Sequence, residues 1–331
     1  MTVYNDFRFL DEAVESILRQ DFADIELVLV DDGNHNDELF GTIARRDARI
    51  RVVSNSTNLG TAVAANRGID VARSDIIVRL DADDVAEPTR VGRLVKTLND
   101  DPSLGLVGST VTCINEAGEP LGVWPAPESD AEIRWTLLFY NPFHHSAAAY
   151  RKSVFERAGR YRPSELISQD HYLWFDMLPF CKARNLQQPL TRYRLNHQGL
   201  ALTNITNARS RTHAIREVLW RKLGIEYCLY DDEFAFGVNN WVKGGALPPE
   251  KRAAAYRVIL PALRAFVRSS APRNQQDFDE LRWLAAVSIG RMLRDRPVTS
   301  SELFETLAGC WTVSPVRTAR SSVRQLINRW L

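Results

Sequence analysis

Between Phe9 and Leu98 short apolar runs alternate with amphipathic helical patterns, and this alternation restricts the fold more than any other feature of the chain. "FLDEAVESILRQ" places Phe9, Leu10, Ala13, Val14, Ile17 and Leu18 on one helical stripe, with Asn5 or Asp6 expected as its cap. "IELVLVDDG" is a Val/Leu run closed by acids and glycine, the pattern of a buried strand. "DELFGTIARR", "GTAVAANRGIDVARS" and "EPTRVGRLVKTL" read as helices, the last with Pro88 in its first turn. "IRVVS" and "DIIVRL" read as strands. Such a rhythm implies right-handed crossovers and a mostly parallel sheet with helices on both faces, an α/β fold of Rossmann-like character.

Beyond about residue 100 the rhythm loosens. "LGLVGSTVTCI" reads as a strand, "SAAAYRKSVFERAG" as strand then helix, "QDHYLWFDML" as a helix and "LTRYRL" as a strand. From about residue 205 strand signals vanish, and "RTHAIREVLWRKLG", "PEKRAAAYRVILPALRAFVRS" and "QDFDELRWLAAVSIGRMLRD" carry helical periodicity. The expectation is an α/β catalytic domain over 1–204 and an α-helical region over 205–331, a division that 331 residues accommodate.

With 42 basic and 41 acidic residues the net charge is +1, so the chain lacks the electrostatic footprint of a nucleic-acid binder. Cys113, Cys181, Cys228 and Cys310 show no paired spacing, which disfavours a zinc site or disulfide framework and suits a reducing cytoplasm. No signal peptide opens the chain. The longest apolar tract, "AAAYRVILPALRAFV", carries Arg257 and Arg264 and is too short to span a bilayer. The final segment sets Arg317, Arg320, Arg324 and Arg329 against Val323, Leu326, Ile327 and Trp330. That basic amphipathic pattern fits a helix lying on the inner face of an anionic membrane. It equally fits a helix packed on the catalytic domain with a solvated face.

"RLDADD" (Arg79–Asp84) crowds three carboxylates into four residues, and "VDDG" (Val30–Gly33) adds two more. Both follow strands, and open parallel sheets bind ligands beyond the carboxyl ends of their strands. Carboxylate oxygens suit Mg²⁺ or Mn²⁺, and a cation there offsets the charge of a diphosphate. The plainer alternative is a pair of polar turns whose Asp residues cap the next helix. From the residues alone the reading reaches a nucleotide or phosphate together with a metal.

"VYNDFRFLDEAVESILRQDFADIELVLVDDG", "NLGTAVAANRGIDVARSDIIVRLDADD", "NPFHHSAAAYRKSVFERAGRY" and "QDHYLWFDM" follow one another in an order that resembles family-two glycosyltransferases. These are inverting enzymes of the GT-A fold that use nucleotide-diphospho-sugars. The resemblance implies that Thr2, Tyr4 and Asn5, with Asp31 and Asp32, grip the nucleotide, Asp32 taking the base contact; plain core packing is the other reading of Tyr4. Asp81 would face the ribose or the metal, and Asp83 would bind the divalent ion (Mn²⁺ or Mg²⁺) that bridges the diphosphate. Asn58 and Gly60 would fix a turn from which Arg67 reaches the diphosphate. Asp170 would be the general base that takes the acceptor proton. His145, Arg194 and His197 would sit near acceptor or phosphate, Arg194 as a fork donor. The implied donor is a UDP- or dTDP-sugar, and the implied acceptor a glycan or lipid-linked sugar in surface-polysaccharide assembly.

Three departures accompany the resemblance. Gln169 stands where the family writes Glu, and the histidine after the Tyr-Arg pair comes one place late, as His197, with Asn196 in its position. Family members also carry a whole apolar strand before the Tyr-Asn pair, whereas Met1 lies two residues before Val3. The expectation is a clipped central strand, with unpaired ladder groups and an open apolar groove. Two rival classes share the sheet and the acids. A sugar nucleotidyltransferase would need a Gly-rich, basic loop after its first strand, and "YNDFRF" is not one. A non-catalytic nucleotide- or sugar-binding module would have no use for Asp170.

Overall fold

The computed structural model describes residues 1–165, 168–196, 217, 218, 220 and 221. The chain divides into two compact units, Met1–Glu217 and Val218–Leu331. His197, the boundary expected near 204 and the basic C-terminal segment lie outside the described residues.

The first unit opens with β1 (Thr2–Val3), α1 (Leu10–Leu18), β2 (Leu27–Asp31), α2 (Asp37–Ala44), β3 (Ile50–Ser54), α3 (Thr61–Val71) and β4 (Ile76–Val78). It continues through β5 (Val85–Ala86), α4 (Arg90–Asp100), β6 (Leu104–Ile114), β7 (Pro120–Trp124) and α5 (Asp130–Leu137). β8 (Ala149–Arg151), α6 (Lys152–Arg157), α7 (Gln169–Met177) and β9 (Lys182–Arg194) complete it. The expected helix and strand patterns up to residue 100 form at their places, because each carries a local period that buries one face. α1 buries Leu10, Ala13, Val14 and Ile17, and α4 buries Val91, Leu94 and Leu98.

Capping differs from expectation at two helices. Neither Asn5 nor Asp6 caps α1, whose N-cap is Phe9 with no side-chain bond. Asp6 instead accepts from the Arg8 backbone at 3.1 Å and from the Arg8 guanidinium at 2.8 Å. Pro88 lies outside α4, two residues before Arg90, and its carbonyl accepts from Asp21 N at 2.9 Å.

The strands form two sheets rather than one. β1, β2 and β3 make a parallel three-stranded sheet in that order. The second sheet runs β4-β8-β6-β9-β5 with β7 on β6, and its only parallel pair is β6 with β9. The expectation of a mostly parallel sheet therefore holds for the first half alone. Of the later strands only β6 and β7 are joined by a hairpin; α4, α5 and the α6–α7 pair lie in the other connections, and β8 returns antiparallel to both β4 and β6. "LTRYRL" belongs to a longer strand, β9, which pairs along β6 from Leu104 to Ile114.

β1 and β4 are edge strands of their respective sheets, and β1 pairs only Val30 and Asp31 of β2. A cavity of about 350 Å³ lies there, lined by Val28 and Val30 from β2 and by Ile76, Ile77 and Val78 from β4. Met1 is buried at its rim, and its nitrogen donates to Val28 O at 3.0 Å. One apolar core, from Val3 and Leu29 to Leu10 and Phe40, sits against the first sheet; another, built on Leu94, Leu98, Val107 and Leu190, sits against the second. Among the described residues no helix is long and apolar enough to cross a membrane.

Candidate functional site

The tips of β1 and β2 are locked together by one amide. Asn34 donates through Nδ2 to Val3 O at 2.9 Å and to Asp31 Oδ1 at 2.6 Å, and its Oδ1 accepts from Asn5 N at 2.7 Å. Asn5 adopts a left-handed backbone (φ 60°), which its short polar side chain tolerates. Tyr4 beside it is 49% exposed, so core packing does not explain it.

Asp32 is enclosed by the loop that follows β3. Its Oδ1 accepts from Asn55 Nδ2 at 2.6 Å and Leu59 N at 3.0 Å; its Oδ2 accepts from Asn58 Nδ2 at 3.2 Å and Gly60 N at 3.0 Å. Those four donors match the roughly four acceptor positions of a carboxylate, so Asp32 braces residues 55–60 and reaches a base only by releasing one of them. Asn55 in turn accepts from the Arg67 guanidinium, which ties Arg67 to this loop. Asn66, one residue earlier, brackets the Tyr161 backbone by bonds of 2.9 and 3.2 Å.

The second acidic turn follows β4. Asp81 N donates to Ser146 Oγ at 3.0 Å, and Arg79 reaches Asp81 Oδ1 at 3.3 Å. His145 Nδ1 stands 3.7 Å from Asp81 Oδ2, while its Nε2 meets Tyr161 Oη at 2.8 Å. Burial opposes ionisation of Asp81, but His145 and Arg79 outweigh it and hold the carboxyl well below its usual range. Asp83 behaves in the opposite way: burial raises its pKa, the Asn196 amide at 3.0 Å pulls it back, and the like charge of Asp81 adds to the rise. Asp84, buried and bonded to Arg194 N at 2.7 Å, is driven well above the carboxylate range by burial and then by Asp83 and Asp81.

A hydrogen-bonded path joins the two acidic turns. Asn196 Nδ2 donates both to Asp83 Oδ2 and to Asp6 Oδ2 at 3.0 Å, and Asp6 adjoins Asn5 at the β1 tip. Asp170, second residue of α7, accepts from Asn141 Nδ2 at 2.6 Å; the N-cap of that helix is Ser168. Trp174 of the same helix has its ring centroid 6.3 Å from that of His145, which itself stands 3.7 Å from Asp81, so α7 lies beside the acidic turn. Gln169 begins the same helix, half-buried.

One expectation fails on geometry. Arg194 is buried, and its fork is engaged: Nε donates to Asp83 O at 2.8 Å, Nη1 to Asn115 O and Glu116 O at 3.2 and 3.0 Å, and Nη2 to Glu12 Oε2 at 2.6 Å. Phe9 lies against the guanidinium at 4.3 Å. Four of its five N–H donors are bound within the protein and the side chain is 1% exposed, so Arg194 is a brace. Asn34, Asn55, Asn141 and Asn196 are the amides that sequence reasoning assigned no role. Asn141, standing before Pro142 in the "NPFHH" run, and Asn196, standing where the family writes histidine, carried a signal there; Asn34 and Asn55 did not.

Among the described residues no three His, Cys, Asp or Glu side chains form a ready metal-ligand set. Asp83 nevertheless suits a cation: it is a half-buried carboxylate with one oxygen on a neutral amide and a pKa raised by burial first and then by the charge of Asp81. Mg²⁺ and Mn²⁺ sites commonly take one or two carboxylates and complete their shell with water and substrate phosphate.

Residues 1–159 match the family model described as Glycosyl transferase family 2. The chain is 31% identical over 201 residues to "Putative glycosyltransferase EpsE" of Bacillus subtilis, covering 59% of this chain and 71% of that protein. It is 26% identical over 240 residues to "O-antigen biosynthesis glycosyltransferase WbnJ" of Escherichia coli, covering 70% and 92%. The chain spans under two thirds of the length of several other curated relatives it matches. Its fold resembles that of S. aureus TarS 1-349 in complex with UDP-GlcNAc, at a TM-score of 0.54 and 15% identity over 88% of this chain and 87% of that one.

Proposed function

Since the chain belongs to glycosyl transferase family 2, we propose that it transfers a sugar, with inversion, from a UDP- or dTDP-sugar to a glycan acceptor during surface-polysaccharide assembly. The observation that supports this most is the acidic turn itself, where His145 stands 3.7 Å from Asp81 and its ring lies 6.3 Å from Trp174 of α7, the helix on which Asn141 orients Asp170. The relatives named for polysaccharide pathways support the setting.

The nucleotide lies across the β1 and β2 tips, where exposed Tyr4 offers a ring face to the base and Asn5 and Asp31 flank it. Thr2 lies on β1 just behind them. Asp83, with Asp81 beside it, would hold the divalent ion, which supplies charge compensation for the departing diphosphate. The acceptor hydroxyl is placed against Asp170, which takes its proton as the oxygen attacks the anomeric carbon. The bond from that carbon to the diphosphate breaks, and its electron pair leaves with the nucleotide. His145, between Asp81 and Tyr161, keeps Asp81 ionised and oriented.

Asp170→Asn tests the reading. The variant should bind UDP with Mn²⁺ as the parent does and lose transfer by about 100-fold to 10,000-fold, the usual worth of a general base. Near-normal transfer by that variant removes Asp170 from the role. A parent chain that prefers a nucleoside triphosphate, or binds no nucleotide, overturns the proposal as a whole.

A further inference from the structure

Three rings from distant parts of the chain meet beside the carboxylates. Trp124 ends β7, His144 precedes the turn that carries His145, and Tyr193 sits on β9 next to Arg194. Ring centroids lie 6.1 Å apart for Trp124 and His144, 6.0 Å for Trp124 and Tyr193, and 5.8 Å for His144 and Tyr193. Trp124 remains 42% exposed, although a Trp contacting two rings is ordinarily drawn further in. In the regular register beside β6, alternation puts Val123 on the face opposite Trp124, so the triad is a feature of one side only. Tyr193 precedes Arg194, whose N–H donates to Asp84 Oδ1 at 2.7 Å, and His144 precedes His145, whose Nδ1 stands 3.7 Å from Asp81 Oδ2, so the inner end of the triad adjoins the acidic turn.

We propose that the Trp124 ring, backed by His144 and Tyr193, is the platform on which the acceptor's terminal pyranose stacks; the assignment to the acceptor rests on the transferase reading above. A pyranose presents a face of C–H groups that carry partial positive charge, and an aromatic face is negative, so the two attract. Stacking directs the hydroxyls to the ring's edge, where one meets Asp170. A diphosphate has no apolar face, and the donor's place is with Asp83 and the strand tips. The open side of Trp124 also leaves room for an acceptor longer than one sugar, whereas the donor must be enclosed around its leaving group.

Saturation-transfer NMR of the full chain with methyl glucoside, methyl galactoside and methyl N-acetylglucosaminide, beside calorimetric titration of UDP with Mn²⁺, tests this. Trp124→Ala should weaken glycoside binding by about fivefold to tenfold, the scale of one lost aromatic contact, and leave UDP affinity within roughly twofold. Trp124→Phe should retain most of the glycoside signal, and Val123→Ala, on the far face of β7, all of it. In turnover, Trp124→Ala should raise the acceptor KM while the donor KM and acceptor-free donor hydrolysis hold. Unchanged glycoside binding in Trp124→Ala, loss of UDP affinity instead, or no glycoside signal from the parent chain overturns the platform. Glycoside binding through Trp124 in a chain that binds no nucleotide keeps the platform and sinks the transferase reading.

Discussion

Asp83 and Asp84 are neighbours in one turn, yet the structure gives them different work. Asp84 is buried and clamped by the Arg194 backbone at 2.7 Å, where it shapes the turn. Asp83, the proposed metal ligand, has one oxygen on the Asn196 amide, while burial and Asp81 push its pKa up. The sign of the pH effect follows. A raised pKa means that Asp83 takes up a proton at a higher pH than an ordinary carboxyl, and a neutral acid is a poor metal ligand. Mn²⁺-dependent UDP binding should therefore fade on acidification before ordinary carboxylates titrate, and in Asp83→Ala it should be weak at every pH. Calorimetric titrations across pH check both; an acid limb that persists unchanged in Asp83→Ala assigns the effect elsewhere. Asp32 shows how far residue identity goes alone. Its place at a strand tip was legible, but its engagement by four loop donors was not, since Asn55, Asn58, Leu59 and Gly60 lie more than twenty residues downstream.

At the scale of elements, the strand tips owe their shape to the turn after β2. Gly33 has φ 82°, and a Cβ there would lie 2.3 Å from the Thr57 carbonyl carbon. Gly33→Ala should cost about 2 kcal/mol or more, from left-handed strain plus the clash, read as a lower urea midpoint with weakened UDP binding. An unchanged midpoint would show that loop 55–60 moves aside freely. Elements with a strong local period were legible: β3 and β6 run as their apolar stretches imply. α5 was not anticipated, although Ser129 and Glu132 form a capping box that its sequence contains. β7 escaped as well, because a two-sided exposed strand has no alternation to betray it.

At the scale of the whole first unit, Arg194 is the joint. From β9 it reaches Glu12 on α1, the carbonyls of the β6–β7 turn and the backbone of the acidic turn. Arg194→Met should destabilise the unit by at least about 2 kcal/mol, because three part-buried carbonyls and the Glu12 carboxylate lose their donors together. It should also loosen the acidic turn, so metal-dependent UDP binding drops with stability. A variant as stable as the parent would reduce the brace to a surface ion pair. The division into two sheets belongs to this scale too: the edges of β1 and β4 border the cavity lined by Val28 and Ile77.

The amino-acid order by itself determined which segments become helices and strands up to residue 100, and that two acidic turns cap strand ends. Those properties follow from local periodicity and from the chemistry of neighbouring residues. Only the tertiary structure decided that the strands part into two sheets, that Asp32 and Arg194 serve the scaffold, and that Trp124 meets His144 and Tyr193. Each of those outcomes depends on partners tens of residues away, and hydrogen-bond donors and ring faces find one another only after the chain has closed.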